Sequence, residues 1–139
     1  MGNRVVFDTN LWVSYFMKGD FTGLVLLVKS YEVEFVRCPN LTKELINVLN
    51  RKKIKQFLEL PIDCYISFYE NLSTLVHTHR EFTGCRDPKD NYLFDLTIQS
   101  NADYLVSGDR DVRETETEGV QVVSLTKFKE ILRNKNNNH

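Results

Sequence analysis

The sequence contains little cysteine and no long apolar run. Its three cysteines, Cys38, Cys64 and Cys85, are odd in number and form no C-x-x-C pair. This argues against both a disulfide framework and a zinc site, and favours free thiols in a reducing compartment. The longest apolar run, residues 24–28, is too short to span a bilayer. We therefore expect a cytoplasmic protein without membrane association.

The sequence also lacks an excess of charge of one sign. Its formal net charge is -1 and its pI is near 6.3, unlike proteins that hold nucleic acid mainly by neutralising phosphates. Near the N-terminus, Arg4 precedes a brief apolar stretch that runs straight into the charged Asp8, so no secretory leader is expected. Composition alone indicates no nucleic-acid partner.

What is present fits one globular domain over residues 1–139, with 42% hydrophobic and 27% charged residues and neither a repeat nor a long linker. Runs rich in β-branched and aromatic residues predict strands at residues 4–7, 33–36, 75–77, 104–106 and 120–123. Apolar periodicity and helix-start residues predict helices at residues 11–17 and 23–31, from Pro39, from Pro61, from Asp87 through residues 92–99, and at residues 125–132 before a frayed asparagine tail. This alternation predicts an α/β fold, a three-layer α/β/α sandwich around a parallel sheet of about five strands.

Four carboxylates are expected at one edge of this sheet. Asp8 ends the first strand, and Asp109 follows the strand at residues 104–106. In parallel sheets, ligands sit outside the carboxyl ends of the strands. Asp90 lies in the first turn of a helix that leads towards the same strand, and Glu44 flanks the apolar stripe of the helix from Pro39.

Each acid also has a purely structural interpretation. Asp8 could cap a helix, and Glu44 could be a first-turn glutamate favoured by the helix dipole. Asp90 could pair with Asp87 in a capping box, and Asp109 could be a turn residue. These interpretations do not explain why four carboxylates are expected near one edge. At such short range, carboxylates raise one another's pKa unless a cation is present. Oxygen-only ligands favour Mg²⁺ or Mn²⁺, which activate water for phosphate hydrolysis.

Four sequence strings resemble the PIN domain, in the group of toxin components of bacterial type II toxin-antitoxin pairs. They are V-F-D-T-N at residues 6–10, L-T-K-E-L at 41–45, D-P-K-D-N at 87–91 and A-D-Y-L-V-S-G-D at 102–109. The similarity runs from about residue 4 to residue 125, with the motifs in the family's order. It implies a parallel sheet with helices on both sides, dependence on Mg²⁺ or Mn²⁺, and endonucleolytic cleavage of single-stranded RNA.

The resemblance also implies roles for individual residues. Asp8, Glu44, Asp90 and Asp109 match the four acids of the family, and Asn10 and Ser107 match polar residues that support them. Two positions depart from the pattern. Gly108 stands where many relatives have Asn, and Asn91 stands where close relatives often carry another Asp, which puts one extra ligand in doubt.

The predicted mechanism is attack on a phosphodiester by a metal-activated water, with Asp8, Asp90 and Asp109 holding the metal and Glu44 completing its shell or orienting the water. No protein nucleophile is needed, and no Ser-His constellation is recognisable. One alternative is a PIN-fold module that binds nucleic acid or regulates, with little or no cleavage. Another is a nuclease that acts on DNA. His77 and His79 could bind a metal or simply face solvent.

The resemblance implies partners as well. A small antitoxin would cover the acidic cleft and could insert a basic residue among the carboxylates. A homodimer is expected in many relatives, for which Trp12 or Phe16 could supply contacts if they are not core residues. The basic stretch Arg51, Lys52, Lys53 and Lys55 is either a solvated helix face or part of the RNA path.

Overall fold

The computed structural model describes residues 3–137, and at their centre lies a parallel sheet of five strands. The strands are β1 (Asn3–Phe7), β2 (Val33–Arg37), β3 (Ser73–Leu75), β4 (Tyr104–Val106) and β5 (Val122–Val123). Their order across the sheet is β3-β2-β1-β4-β5, and every neighbouring pair is parallel. Since parallel neighbours need crossover connections, the helices cover both faces of the sheet. The predicted three-layer α/β/α architecture is confirmed.

Eight α-helices connect and flank the strands in the described part of the chain. They are α1 (Thr9–Met17), α2 (Phe21–Ser30), α3 (Pro39–Leu49), α4 (Lys52–Lys55), α5 (Ile62–Leu72), α6 (Asn91–Gln99), α7 (Arg110–Arg113) and α8 (Leu125–Asn137), with one 3₁₀ turn at Pro88–Asp90. Among residues 3–137, no helix combines the length and the apolar character that crossing a membrane requires. That the chain forms a single domain over residues 1–139 stays a prediction.

Two strands differ from the prediction by two residues, whereas β1 and β2 are each only one residue longer than predicted. Strand β3 lies at Ser73–Leu75, earlier than the predicted 75–77, and β5 is only Val122–Val123. The shift of β3 follows from its register, in which Ser73 pairs with Phe35 and Leu75 with Arg37 at the end of β2. A strand at the sheet edge is bounded by its neighbour's length, which the local sequence does not encode.

The predicted frayed tail is wrong as far as Asn137, because α8 continues through it. Phe128 and Leu132 lie one helical turn apart and are both buried, so the helix is anchored by packing rather than by intrinsic propensity. Farther along, the Lys135 ammonium donates a hydrogen bond to the Asn3 side chain at 2.7 Å. Residues 138 and 139 of the predicted tail lie outside the described residues.

An aromatic cluster around Phe7 forms the core on one face of the sheet. The Phe7 ring lies 4.6 Å from Phe35, 5.8 Å from Trp12 and 6.1 Å from Phe128, measured between ring centroids. Trp12 is fully buried, and Phe16 is 2% exposed. The idea that these two residues supply a dimer contact is therefore wrong, and both belong to the core.

The segment of residues 76–87, here called the strap, joins β3 to the 3₁₀ turn without forming a helix or a strand. It is bound to the side of α6 by polar side chains. Gln99 accepts a hydrogen bond from the His79 N–H at 3.0 Å and donates one to the His79 carbonyl at 2.7 Å. The buried Asp95 carboxylate accepts from the N–H groups of Glu81 at 3.1 Å and Phe82 at 2.8 Å.

A third side chain of α6 completes this attachment. Asn91 accepts a hydrogen bond from the Cys85 N–H at 3.0 Å. Asn91, Asp95 and Gln99 follow one another at intervals of about one helical turn, roughly 6 Å. The contacts run in opposite order along the two segments, with His79 bound to Gln99 and Cys85 bound to Asn91. The strap is thus fixed along the helix at three successive turns.

We predict that Asp95→Ala loosens the strap. Two backbone N–H groups would lose a buried acceptor, which should lower the free energy of unfolding by about 1–3 kcal/mol. Hydrogen exchange of the amides of Glu81 and Phe82 should become faster, as mass spectrometry can measure. The matched control is Asp103→Ala, which removes an exposed carboxylate that accepts from the Arg4 N–H at 2.8 Å. Unchanged exchange in the strap of Asp95→Ala would contradict this role.

Candidate active site

The carboxyl ends of β1 and β4 meet at the point where the strand order reverses. From β1 the chain proceeds to β2 and β3 on one side, whereas β4 and β5 lie on the other. Ligands of open α/β sheets bind in the crevice at such a point. Asp8 directly follows β1 and Ser107 directly follows β4, and the Ser107 hydroxyl donates to the Asp8 carboxylate at 2.7 Å. Both side chains are buried.

Asp8 does not act as a side-chain cap. It occupies the position before α1, yet within the described chain its carboxylate makes no cap bond to that helix. Burial raises the pKa of Asp8 above its ordinary value, and the nearby charges of Glu44 and Asp109 raise it further. The hydrogen bond from Ser107, and a smaller effect from the Thr9 backbone N–H, oppose this rise in pKa because they stabilise the ionised form. The acid is thus buried and bound across the sheet to a residue of another strand, as expected of a site.

Asp109 is linked to Asp8 through the same hydroxyl group. The backbone N–H of Asp109 donates to the Ser107 Oγ at 3.0 Å. The Asp109 carboxylate accepts from the Asp111 N–H at 2.9 Å and thereby caps α7. The structural interpretation of Asp109 thus holds in part, since it caps a short helix. Its exposed side chain lies beside the buried Asp8, with Ser107 between them.

Among the four acids, Asp90 shows the clearest rise in pKa. It ends the 3₁₀ turn that Asp87 opens by accepting from the Lys89 N–H at 3.0 Å, which confirms Asp87 as the cap. In the described structure, Asp90 makes no side-chain cap bond to α6. Burial raises the pKa of Asp90 to about 6, with further increases from the charges of Asp8, Asp109, Asp87 and Glu44 in that order. The predicted acids are therefore close enough to repel one another.

Glu44 joins the group from α3. It lies beyond the first turn of that helix and is half-buried, so the first-turn interpretation is wrong. The Tyr92 hydroxyl donates to Glu44 at 3.2 Å and lies 3.3 Å from the Thr9 hydroxyl. Burial raises the pKa of Tyr92, which keeps the phenol neutral and able to donate. Tyr92 and Thr9 thus bridge α3, α6 and α1 beside the acids.

Sequence reasoning did not find Tyr92 and Thr9 as parts of the site. Both follow an acidic motif residue closely, Thr9 after Asp8 and Tyr92 after Asp90. Tyrosine has an apolar body and a polar tip, so its position on a helix face indicates packing and leaves the hydroxyl's partner open. Only the approach of α3 to α6 reveals that partner.

The remaining motif residues have varied surroundings. Asn10 is exposed in the first turn of α1, and its supporting role stays a prediction. Asn91, at the position of the doubtful extra ligand, directs its oxygen to the Cys85 N–H. At Gly108, an added Cβ atom would meet no atom of the described residues within 4 Å. The asparagine of many relatives would therefore fit at position 108.

The donor set suits a hard divalent cation. All four acids offer oxygen, and their mutual repulsion is the electrostatic condition that such a cation relieves. Within residues 3–137, however, no three acidic, histidine or cysteine side chains lie close enough together to bind one ion. Asp8, Glu44 and Asp109 are each turned towards a protein donor. Each of these carboxylates has a second oxygen, so joint coordination of one ion requires the acids to move closer together and can leave those donors in place.

Within residues 3–137, the cysteine and histidine side chains also form no metal-binding group. Cys38, Cys64 and Cys85 are free thiols, as predicted. His77 and His79 are exposed, and His79 Nε2 lies 2.7 Å from a Glu81 carboxylate oxygen. The histidines thus face solvent on the strap.

Two comparisons with known proteins show what this chain is similar to. The sequence model of the PIN domain family matches residues 4–111. The chain is also 25% identical over 113 residues to a Methanocaldococcus jannaschii protein named "Uncharacterized protein MJ1680", an alignment that covers 78% of this chain and 72% of that protein. The family match spans every acid of the site, from Asp8 to Asp109.

We predict that Asp90→Asn stabilises the protein at neutral pH. The pKa of Asp90 is about 6 in the folded chain and 3.8 in its ordinary state, so the folded form binds more protons between these values. Stability should therefore fall as pH rises from about 4 to about 6, with the full cost above that range. Thermal unfolding should show a larger gain in Tm for the variant at about pH 7.5 than at about pH 4.5.

Glu118→Gln, which removes an exposed negative charge, provides the control for this experiment. It should leave the difference between the two pH values unchanged. Mn²⁺ should raise the Tm of the parent protein and should do so less in Asp90→Asn. A variant that gains nothing at neutral pH would show that the acids do not repel one another as described.

Proposed function

Because the chain belongs to the PIN domain family, whose members are in general nucleases, we propose that it is a cytoplasmic metal-dependent endoribonuclease that cleaves single-stranded RNA. The observation that carries this proposal is the electrostatic coupling of Asp8, Glu44, Asp90 and Asp109 at the strand-order reversal. Neighbouring carboxylates that raise the pKa of Asp8 and Asp90 at a ligand-binding edge are expected where a cation is to be bound.

In this proposal, Asp8, Asp90 and Asp109 would hold Mg²⁺ or Mn²⁺, and Glu44 would help to hold it or orient a water. When bound, the ion lowers the pKa of a water and neutralises charge on the phosphate. Ser107 holds the carboxylate of Asp8 and the backbone of Asp109 in fixed relation through its hydroxyl.

Two further features bear on the chemistry of the site. Tyr92 fixes Glu44 on the α3 side, so the acid of that helix is placed before substrate arrives. Asp90 carries a proton at mildly acidic pH because its pKa is raised to about 6. Since a cation must compete with that proton, cleavage should increase as pH rises through about 6.

We predict that Asp8→Asn stays folded and loses cleavage by more than about 100-fold, because changes even outside the first metal shell cost about 10–100-fold. The variant keeps an oxygen that can accept from Ser107 and removes the charge. The assay is cleavage of a labelled single-stranded RNA with Mn²⁺, Mg²⁺ or EDTA, and circular dichroism confirms folding. Asp103→Asn, far from this edge, is the matched control. Full activity of Asp8→Asn would rule out the assignment.

The second candidate is a PIN-fold module that binds nucleic acid or regulates, with little or no cleavage. The observation that favours it is that no three ligands converge on one point within residues 3–137. Mn²⁺ binding without cleavage of diverse RNA by the folded protein would support this candidate over the nuclease. Competing RNA and DNA oligonucleotides in the same assay separate the two nucleic acids, because only RNA offers 2′-hydroxyl groups.

We further propose that the protein is the toxin of a toxin-antitoxin pair and forms a homodimer. What supports the first idea is an edge with four acids, into which a small antitoxin could insert a basic residue. Expression in bacteria should then arrest growth, and Asp8→Asn should not. Co-expression of a small neighbouring gene product should restore growth. Harmless expression would contradict the toxin proposal. A monomer in light scattering at high concentration would contradict the homodimer.

A further inference from the structure

A cavity of about 560 Å³ lies between the strap and the start of α6, directly beside the acids. Its walls include Asn40, Thr78, Thr83, Asn91 and Tyr92. Tyr92 also donates to Glu44, and Asn91 follows Asp90, so the cavity and the candidate active site share a boundary. Its volume falls within the range of about 300–1,000 Å³ that is usual for small-molecule sites. A ligand in this cavity would therefore lie next to the four acids.

The wall formed by the strap is fixed before any ligand binds. Long segments without secondary structure are uncommon in compact domains and are usually functional or disordered. The strap is ordered by Gln99, Asp95 and Asn91, which together engage four of its backbone N–H groups: those of His79, Glu81, Phe82 and Cys85. A wall ordered in advance reduces the conformational entropy lost on binding.

The cavity also offers two cations without partners. Arg80 and Lys89 are exposed on its lining, and among residues 3–137 neither side chain has an ion-pair partner. The two acids on the same lining are already engaged. Glu81 pairs with His79 at 2.7 Å, and Asp95 accepts two backbone hydrogen bonds. Positive charge is thus available at the rim to an anionic ligand.

We propose that this cavity binds one nucleotide of single-stranded RNA next to the bond that is cut, with Arg80 and Lys89 holding its phosphate. The amide and hydroxyl groups of Asn40, Thr78 and Thr83 would face the base, whose edges are free in a single strand. This inference rests on the proposed function, because it takes RNA as the ligand of the adjacent acids. It makes the strap the element that determines which nucleotide is accepted beside the cut.

The test compares two double variants that each remove one arginine and one lysine. Arg80→Ala/Lys89→Ala changes the cavity, whereas Lys29→Ala/Arg133→Ala changes exposed residues of α2 and α8 outside it. Lys29 lies in the last turn of the helix that precedes β2, and therefore near the opposite edge of the sheet. Affinity for a labelled single-stranded RNA is measured by fluorescence anisotropy in Mn²⁺, with Asp8→Asn in both proteins to prevent cleavage.

We expect about tenfold weaker binding for Arg80→Ala/Lys89→Ala only, with a salt dependence whose slope is shallower by about 1.4, as loss of two phosphate contacts to a single strand predicts. Equal loss in both variants, or unchanged binding in the cavity variant, overturns the inference. The inference is also overturned if the cavity variant binds RNA as the parent does but is no longer inhibited by a protein partner, since the cavity would then serve that partner.

A second variant tests for a base in the cavity. Thr83→Trp places a large ring on the lining, so it should weaken binding of RNA and should do so less when the nucleotide beside the cut is abasic. A failure of the proposed function can be told apart from a failure of the subsite. If the parent protein binds RNA and never cleaves it, the binding of both sets of variants can still be compared. A parent that binds no RNA overturns the subsite as well.

Discussion

The parallel pairing of β1 with β4 is the constraint on which the rest of the site depends. In this pair Phe7 lies opposite Val106, and the Asp8 N–H continues the ladder by donating to the Val106 carbonyl at 3.0 Å. The next groups along the two strands are the Asp8 carboxylate and the Ser107 hydroxyl, which are 99 residues apart in sequence. A slip of one residue in this register would turn one strand over relative to the other and place the two side chains on opposite faces of the sheet. The contact between two distant motifs thus follows from backbone hydrogen bonding.

This arrangement works against folding, because it brings like charges together in a poorly solvated place. Burial and mutual repulsion raise the pKa of both Asp8 and Asp90. Donors from Ser107 and Tyr92 offset part of the cost, and the rigid aromatic packing around Phe7 holds the strand that carries Asp8. Sites that oppose folding in this way are a common source of conflict between stability and activity. Such a site requires a surrounding fold that does not move apart when the acids are ionised.

The sequence predicted the architecture, and it singled out the four acids as candidates, because both leave local signals. Strand-ending acids, proline at helix starts and apolar stripes are each readable within a few residues, as at Asp8 and Pro39. The Glu44 partner could not be predicted, because the Tyr92 hydroxyl reaches it only when α3 and α6 pack together. Trp12 illustrates the same difficulty, since an apolar residue on an early helix suits either a core or an interface until the neighbouring rings are known.

The strap was beyond sequence reasoning for a different reason, which also bears on Asn91. An extended segment without a strand partner must still satisfy its buried N–H groups. Here side chains of α6 replace the missing strand, and their partners are backbone atoms that have no sequence signature. At position 91 an aspartate, common among relatives by resemblance, could accept from Cys85 as asparagine does. It would also place another negative charge beside Asp90, whose pKa four carboxylates already raise. Asparagine keeps the acceptor that anchors the strap and omits the added repulsion, so this departure from the family pattern serves the wall of the cavity while leaving the four acids in place.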